Sequence, residues 1–411
     1  MISRLPQIAF ARRRAVVAVQ ALLAVPVLLG CVALSVDIGY VYDLRGSMQS
    51  AVDASALAGA SALQVAFGPP RLRAIEYASK NYLDRSIVEA SELDITIGNW
   101  DGLNERFVPA SELDGFTPNA IRVGGRRPEI PLFFARIMGD SGTTVNKSAT
   151  AVQGAGHCMG IWGLDDVTGT GGLFTDSYDN RQGAYGGANI RSNGDICSCR
   201  DMTFGGDVEI YGDTIYGEGY DFTLLGTTYD IWGMVDDAPC QLTPPEFDMI
   251  GASITNDNSD IPQTDGGNNP FRGPGRLFLS GNDNLTLPPG TYYFSSLQIE
   301  SFATLTVTGP TEIYIAGNVL LGGGGIINTT QIPENLKIYG TGTTMSFAGT
   351  SDFYGAIVAP ETDLNFLGTA SYYGVVIGQT LDFRGTTNIH VEESLIADLF
   401  GLEAAAPVLV E

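Results

Sequence analysis

An apolar run near the N-terminus, residues 15–38, constrains this 411-residue chain more than any other feature. It contains one proline, Pro26, and follows directly on Arg12, Arg13 and Arg14. A helix of this length would measure about 36 Å at 1.5 Å per residue, enough to cross a hydrocarbon core of about 30 Å with some tilt. Because basic residues stay on the cytoplasmic side of a membrane, the N-terminus is expected inside and the bulk of the chain outside.

A cleaved or lipidated N-terminus is the alternative to a retained anchor. A secretory signal peptide has an apolar core of about 7–15 residues before its cleavage site, and the run in this chain is longer. The string Leu28-Leu29-Gly30-Cys31 has a faint likeness to a lipoprotein lipobox, but apolar sequence continues beyond Cys31. These observations favour an uncleaved, single-pass transmembrane helix.

A longer pattern surrounds the anchor. Val36-Asp37-Ile38-Gly39 closes the apolar run, and the small-residue stretch AVDASALAGA follows at residues 51–60. In this order, residues 12–62 resemble the N-terminal region of TadG-like (TadE/TadG-related) Flp pilus-assembly proteins. The resemblance implies a transmembrane helix at 15–38 and a small-residue helix at 39–66. It also implies partners among other pilus-assembly or pseudopilin-like membrane proteins.

The small residues after the anchor permit two interpretations. Residues of this size allow a second helix to approach closely, so they could dock a partner anchor or a pseudopilin stalk. They could equally pack on the domain that follows them in the same chain. The residues concerned are Ala51, Ala54, Ala58, Gly59 and Ala62.

Composition narrows the class of partner. The chain has 22 Lys and Arg residues against 46 Asp and Glu residues, for a net charge of −24. This balance argues against nucleic acid and against an anionic membrane surface as partners. The 52 glycines indicate many short strands joined by turns rather than a helical bundle.

Residues 71–152 predict a small α+β unit. Apolar residues at helical spacing predict a helix over residues 71–83. Strands are predicted at 93–97, 107–108, 120–123 and 144–152, with a turn at 98–102. Four arginines could form a patch for an acidic partner, although such residues are more often a solvated face: Arg122, Arg126, Arg127 and Arg136.

Residues 155–400 carry an internal repeat. The string that begins at Phe347 (FAGTSDFYGAIVA) recurs at Phe366 (FLGTASYYGVVIG), and a partial copy begins at Phe383. We expect these three phenylalanines to stack in one interior column; the alternative is an exposed strip that binds glycans. Repeats of about 19 residues, built from short strands and glycine turns, are typical of a parallel β-solenoid, because one coil cannot bury its apolar face alone. The region also resembles an uncharacterised β-solenoid domain of bacterial surface proteins, which implies a fold but no known activity. The predicted fold class is therefore mainly β: a transmembrane helix, a small α+β segment and a β-solenoid.

The inventory of reactive residues argues against catalysis. Asp352, Asp363, Asp382 and Arg384 include the residue types that β-helix polysaccharide lyases use, but their spacing follows the repeat, as solvent-facing wall residues do. The histidines, His157 and His390, stand in unrelated contexts. We expect no enzyme activity, no catalytic residues and no cofactor.

No metal site is expected either. Some longer TadG-like proteins carry a von Willebrand A domain with a D-x-S-x-S metal motif. The nearest string in this chain, residues 53–57, lacks the second serine. The glycine-rich strings near residues 169–172 and 322–325 lack the aspartate of calcium-binding nonapeptides.

Four cysteines lie in the exported part, an even number in an oxidising compartment: Cys158, Cys197, Cys199 and Cys240. Three connectivities are possible. A bond between Cys197 and Cys199 would close a small, strained ring, so each of these two is expected to pair with Cys158 or Cys240. A C-x-C metal site is the alternative.

Together these features predict a non-enzymatic structural or adhesive protein of the bacterial envelope, anchored in the cytoplasmic membrane and associated with Flp pilus assembly. The alternative is a surface protein that binds or cleaves polysaccharides, so surface glycans remain possible partners. The predicted boundaries are a basic cytoplasmic start at 1–14, the anchor, the small-residue helix, the α+β unit, the solenoid and an acidic tail at 401–411.

The topology can be tested directly. A reporter that is active only outside the cytoplasm should be active when fused after Ala62, because Arg12, Arg13 and Arg14 hold the N-terminus inside. A cytoplasm-only reporter at the same position should be silent. The reverse pattern would contradict the predicted localisation.

Overall fold

The computed structural model describes residues 8–63, 69–112, 118–139, 142–153, 158, 160–240, 242–400 and 407–410. The chain forms two compact units. Unit 1 comprises residues 1–96, 121–151 and 409–411, and unit 2 comprises residues 97–120 and 152–408. Strands predominate and most of them pair in parallel, while a long apolar helix stands at the N-terminus. The prediction of a mainly β protein with an N-terminal helix is therefore confirmed.

Besides short 3₁₀ helices, the described residues of the first part of the chain form two α-helices and six strands. They are α1 (Ile8–Ser61), α2 (Pro70–Ala78), β1 (Tyr82–Leu83), β2 (Ser86–Ile87), β3 (Leu93–Asp101), β4 (Arg106–Pro109), β5 (Ala120–Ile130) and β6 (Thr143–Val152). In unit 1, β5 lies between β6 and the first part of β3. The second part of β3 pairs antiparallel with β4, and both of these belong to unit 2.

Helix α1 runs without interruption through the predicted anchor and the small-residue segment. Pro26 lies inside the helix and does not end it. What changes along α1 is the environment of its side chains. The apolar side chains of residues 19–36 are mostly exposed, whereas Leu44, Met48 and Val52 are buried. Residues 64–66 of the predicted small-residue helix lie outside the described residues.

The small residues of α1 pack within unit 1. A Cβ on Gly59 would lie 2.7 Å from Ile121 Cδ1 and 3.2 Å from Ala74 Cβ. Ser55 Oγ donates to the Ala74 carbonyl at 2.8 Å. Since α2 and β5 come this close, small side chains are needed for the protein's own packing. The structure therefore favours the second interpretation of these residues over docking of a partner helix.

The helix predicted over residues 71–83 is shorter than expected. It is α2, which ends at Ala78. Asn81 Nδ2 donates to the Tyr77 carbonyl at 3.0 Å and so satisfies one of the last helical carbonyls. Asp84, with a φ of 60°, then reverses the chain between β1 and β2. Local hydrogen bonding and hairpin pairing thus override the helical spacing of the apolar residues.

The turn predicted at residues 98–102 is also wrong. Residues 98–101 belong to β3, and the chain reverses at 102–105. Gly98 marks a close approach rather than a turn, because a Cβ there would clash with the Val108 carbonyl of β4. The sequence alone does not distinguish a turn glycine from a strand glycine that allows another backbone to approach closely.

Unit 2 consists mostly of short strands. The elements that follow β6 are β7 (Gly160–Gly163), β8 (Val167–Gly169), β9 (Leu173–Tyr178), β10 (Asp195–Ser198), β11 (Met202–Phe204), β12 (Val208–Ile210), β13 (Thr214–Gly217), β14 (Phe222–Leu224), β15 (Tyr229–Ile231), β16 (Val235–Ala238), α3 (Met249–Ile254), β17 (Arg276–Leu279), β18 (Asn284–Leu287), β19 (Gly290–Phe294), β20 (Ser296–Ile299), β21 (Thr304–Val307), β22 (Thr311–Ile315), β23 (Val319–Leu321), β24 (Ile326–Asn328), β25 (Leu336–Gly340), β26 (Thr344–Phe347), β27 (Phe353–Phe366), β28 (Ser371–Phe383), β29 (Thr387–Glu392), α4 (Glu393–Phe400) and β30 (Val408–Leu409).

The strands of unit 2 pair in parallel, mostly with strands one turn of the chain away, and this pairing places them in three rows. The first row is β17–β20–β23–β26–β27–β28–β8–β11–β14. The second is β19–β22–β25–β27–β28–β7–β10–β13–β16. The third contains β18–β21–β24 and, as a separate set, β27–β28–β29–β9–β12–β15. The long strands β27 and β28 contribute to all three rows.

The order of turns in the stack differs from their order in the chain. The chain enters the stack in its middle at β7 and leaves it at β16. It re-enters at the opposite end, at β17, and returns until β29 pairs with β9. The connecting residues 239–275 include α3, and Phe247 from this segment stacks on Tyr339 with ring centroids 5.1 Å apart.

At each end of the stack, another part of unit 2 bonds to a strand edge. At one end, Gly102 N donates to the Ile231 carbonyl at 3.0 Å, and Asn119 Nδ2 donates to the Trp232 carbonyl at 2.6 Å. At the other end, Phe271 forms an antiparallel bridge with Leu277. An uncovered strand edge would present free backbone groups, so these contacts limit pairing with other chains.

The interior of the stack contains a ladder of aromatic rings. Phe347, Phe366 and Phe383 occupy equivalent register positions and are buried. Successive ring centroids in this column are 5.0 Å apart. The expectation that the phenylalanine repeat forms an interior column is therefore confirmed. Tyr354 and Tyr373 form a second, half-buried column, with centroids 4.3 Å apart.

Aspartates at one corner of the stack bind the backbone of the next turn. Asp195 Oδ1 accepts a hydrogen bond from Asp213 N at 2.8 Å, and Asp213 Oδ1 accepts one from Met234 N at 2.6 Å. Burial raises the pKa of Asp213 to about 7. The pairs Gly194-Asp195 and Gly212-Asp213 thus connect successive turns through carboxylate-to-backbone bonds.

The aromatic column supports a stability prediction. Replacing the central ring, Phe366→Ala, should lower the free energy of unfolding by about 3–5 kcal/mol, because it leaves a cavity between two stacked rings. Asn365→Ala, a change one residue earlier in β27, is the matched control and should have a much smaller effect. Thermal or denaturant unfolding of the full chain in detergent measures both. Equal stability of the wild type and Phe366→Ala would refute the interior ladder.

Candidate functional site

The point where α1 leaves its exposed apolar segment has a specific hydrogen-bond geometry within unit 1. Asp37 is buried, and its carboxylate accepts bonds from three consecutive backbone N–H groups. Oδ1 accepts from Phe133 (2.8 Å), and Oδ2 accepts from Phe134 (3.0 Å) and Ala135 (2.7 Å). A short 3₁₀ helix, Ala135–Met138, begins at these residues. Asp37 of α1 therefore acts as the N-cap of a helix that lies far away in the chain.

Ring packing accompanies this cap. The rings of Tyr40 and Phe133 meet edge to face with centroids 5.0 Å apart. Sequence reasoning used Asp37 only as part of a family pattern and did not find its partners, which lie nearly a hundred residues away. The available signal was the charge itself, because an aspartate at the end of an apolar run needs compensation.

The four arginines suggested as a patch have different environments in unit 1. Arg127 is bonded to Glu92 and donates to the carbonyls of Leu83 (2.7 Å) and Ile87 (2.8 Å). Its bonds to Glu92 lower the pKa of that carboxyl. Arg122 Nε donates to Thr150 Oγ1 at 3.0 Å. Arg126 and Arg136 are exposed. Arg127 is therefore a structural clamp between β5 and the β1–β2 hairpin.

The four exported cysteines form two pairs in unit 2. Cys158 is bonded to Cys197, with Cα atoms 6.0 Å apart, and Cys199 is bonded to Cys240, with Cα atoms 4.9 Å apart. Each of the two neighbouring cysteines thus has a different, distant partner. Among the described residues, Cys31 in α1 is the free cysteine. The side chains of Arg12, Arg13 and Arg14 lie outside the described residues, as does His157.

A buried polar cluster occupies the junction where β29 pairs with β9. His390 Nδ1 and Asp176 Oδ1 are 2.6 Å apart, and Tyr185 Oη donates to Asp176 Oδ2 at 2.6 Å. The rings of Tyr373 and His390 stack with centroids 4.6 Å apart, which extends the second aromatic column by one turn. Burial raises the pKa of Asp176, while its bonds to His390 and Tyr185 oppose this rise.

The same junction holds the insert between β9 and β10, residues 179–194. Glu392 is buried and accepts bonds from Asn180 N (2.8 Å) and from Leu395 N (2.6 Å) at the start of α4. Burial raises the pKa of Glu392. Arg191 is paired with Glu393. The cluster thereby connects the insert and α4 to the junction where β29 pairs with β9. Sequence reasoning missed it because Asp176 and His390 are 214 residues apart.

The residues considered for polysaccharide cleavage have separate partners. Asp363 accepts a bond from Thr380 Oγ1 at 2.7 Å, and Asp382 is paired with Arg384 at 2.6 Å. Asp352, at a different corner, accepts a bond from Ser371 N at 3.3 Å. Within the described ranges, no group of three or more His, Cys, Asp or Glu residues is arranged to hold a metal ion. The positions of these aspartates agree with the sequence expectation that their spacing follows the repeat.

Family comparisons agree with this organisation. Residues 15–62 match the family model described as Flp pilus-assembly TadE/G-like, and residues 45–152 match the model described as Tad-like Flp pilus-assembly. Residues 295–397 match a domain of unknown function, DUF7305. The chain therefore carries Tad-type domains at its N-terminus followed by a DUF7305 domain, and the resemblance seen over residues 12–62 is confirmed. No curated protein and no solved structure matches the chain.

These domains support a pilus-associated role and imply interaction with pilus-assembly components. Over the part of the chain that the structure describes, one helix is long and apolar enough to cross a membrane, within Val19–Ser61. This N-terminal helix is a candidate membrane anchor, as expected for a Tad-type protein.

The Asp37 cap supports a second prediction. Asp37→Ala should loosen the segment around Phe133–Ala135 by about 1–3 kcal/mol, because three backbone N–H groups lose a charged acceptor. Trypsin should then cleave after the exposed Arg136 roughly tenfold faster or more, measured on the full chain in detergent. Ser35→Ala is the matched control, because Ser35 Oγ donates only to the Cys31 carbonyl of its own helix. Equal cleavage rates in both variants would contradict the structural role of Asp37.

Proposed function

We propose that this protein is a non-enzymatic structural component of a Flp/Tad-type pilus-assembly system in the bacterial envelope. In this proposal α1 crosses the cytoplasmic membrane once, with the N-terminus inside and the rest of the chain outside. The matches of residues 15–62 and 45–152 to pilus-assembly families carry the proposal. The exposed apolar side chains of α1 support the membrane assignment.

In this proposal unit 2 is a parallel β-solenoid that acts as a rigid scaffold. Parallel pairing between successive turns and the three rows of strands support this architecture. Backbone pairing along a stack with a filled interior resists bending and local opening. The cavity beside Leu321, Phe347 and Tyr372 has a volume of about 20 Å³, which is room for about one water molecule.

The chemistry of the buried cluster supports the non-enzymatic part of the proposal. A catalytic group must reach its substrate, and Asp176 and His390 are both buried beneath the Tyr185 and Tyr373 rings. Their bonds hold the insert and the junction of β29 with β9. We therefore assign this cluster a role in closing the stack.

The proposal is tested in a strain that produces the pilus. Loss of the gene for this chain should reduce pilin in the sheared surface fraction, and the full chain should restore it. The full chain should also be crosslinked to pilus-assembly membrane proteins. A variant with Asp363→Asn and Asp382→Asn is the control for catalysis and should restore pilin equally well. Two results would refute the proposal. One is a normal amount of surface pilin in the strain that lacks the chain. The other is release of sugars by the wild-type chain that is lost in this variant.

A further inference from the structure

Two aromatic side chains of unit 1 are exposed next to the end of the candidate anchor. Phe133 is 61% exposed and Phe134 is 40% exposed, although both belong to a segment whose backbone is held firmly by Asp37. Large apolar groups that are fixed and exposed mark a surface that contacts something apolar. Tyr42, on α1 one turn beyond the anchor, is 75% exposed.

The position of Asp37 along α1 gives the level of these rings relative to a membrane. The apolar run of the candidate anchor, residues 15–38, ends at Ile38, and its described side chains from Val19 onward are mostly exposed. At 1.5 Å per residue it is about 36 Å long, enough to cross a hydrocarbon core of about 30 Å with some tilt, and Asp37 stands at its outer end. Asp37 therefore lies at the outer limit of the core. The segment that donates three N–H groups to its carboxylate lies at the same level.

We propose that Phe133 and Phe134 insert into the outer interface of the lipid bilayer and, with Tyr42, form an aromatic belt around the exit of α1. The inference rests on the proposed membrane anchor. Aromatic side chains are favoured at the boundary between headgroups and acyl chains. The backbone bonds of Asp37 satisfy its carboxylate, so a charge is tolerated at this depth.

The attraction in this proposal is apolar rather than electrostatic. The chain carries a net charge of −24, which disfavours an anionic lipid surface. Burial of aromatic rings among lipids does not depend on headgroup charge. The Asp37 cap connects the anchor to the ring-bearing segment, so that insertion fixes unit 1 at a defined depth.

Full-length protein in vesicles of zwitterionic phosphatidylcholine tests the inference. An environment-sensitive fluorophore is attached at Phe134→Cys in a Cys31→Ser background, and its depth is measured with lipids that carry nitroxide quenchers. We expect blue-shifted emission and stronger quenching by headgroup-level nitroxides than by nitroxides deep in the acyl chains. Phe133→Cys is the second site. Tyr82→Cys, also exposed in unit 1, is the matched control for a solvent position.

The native Cys31 separates failure of this inference from failure of the anchor. A label on Cys31 in the otherwise unchanged chain should be quenched by nitroxides deep in the acyl chains. If Cys31 is quenched but Phe133 and Phe134 behave like Tyr82, the aromatic belt is refuted while the anchor stands. Protection of these positions only in native envelope membranes refutes a lipid contact and indicates a protein partner. A water-exposed Cys31 refutes the anchor itself.

Discussion

Parallel backbone pairing between successive turns of the chain is the constraint on which unit 2 depends. Each turn presents its backbone N–H and C=O groups to the turns on both sides, so no single turn is stable alone. The pairing also aligns equivalent side chains, which is why Phe347, Phe366 and Phe383 stack in the interior. Carboxylates such as Asp213 add bonds from side chain to backbone in the same direction along the stack.

This pairing is closed between distant parts of the sequence. The last strand of the stack, β29, lies beside β9, which belongs to the first complete turn of the unit. The buried bond between His390 and Asp176 is made across this junction. Buried polar groups are costly when unpaired, so the cluster favours the register in which all of them have partners. The two disulfides hold the turns just beyond this closure.

Unit 1 depends on a single helix with two environments. The first part of α1 exposes apolar side chains that suit a lipid solvent, and the second part buries small residues against α2 and β5. Because α1 is unbroken, the position of the candidate anchor is transmitted directly to the folded unit. The Asp37 cap adds a second connection at the point where the environment changes. Three backbone N–H groups donate to the carboxylate of Asp37, which explains why an aspartate is tolerated at the end of this apolar run.

The sequence by itself determined the long apolar helix that is the candidate anchor, the Tad-type N-terminus, the mainly β class and the interior phenylalanine column. Each depends on a local pattern: the length of an apolar run, a string of residues in order, or a repeat of equal spacing. Only the tertiary structure decided the order of turns in the stack, the partners of Asp37 and His390, and the role of the small residues in α1. These depend on contacts between residues far apart in the chain. A local pattern can indicate that a buried or charged group needs a partner, but which residue is the partner depends on the three-dimensional packing.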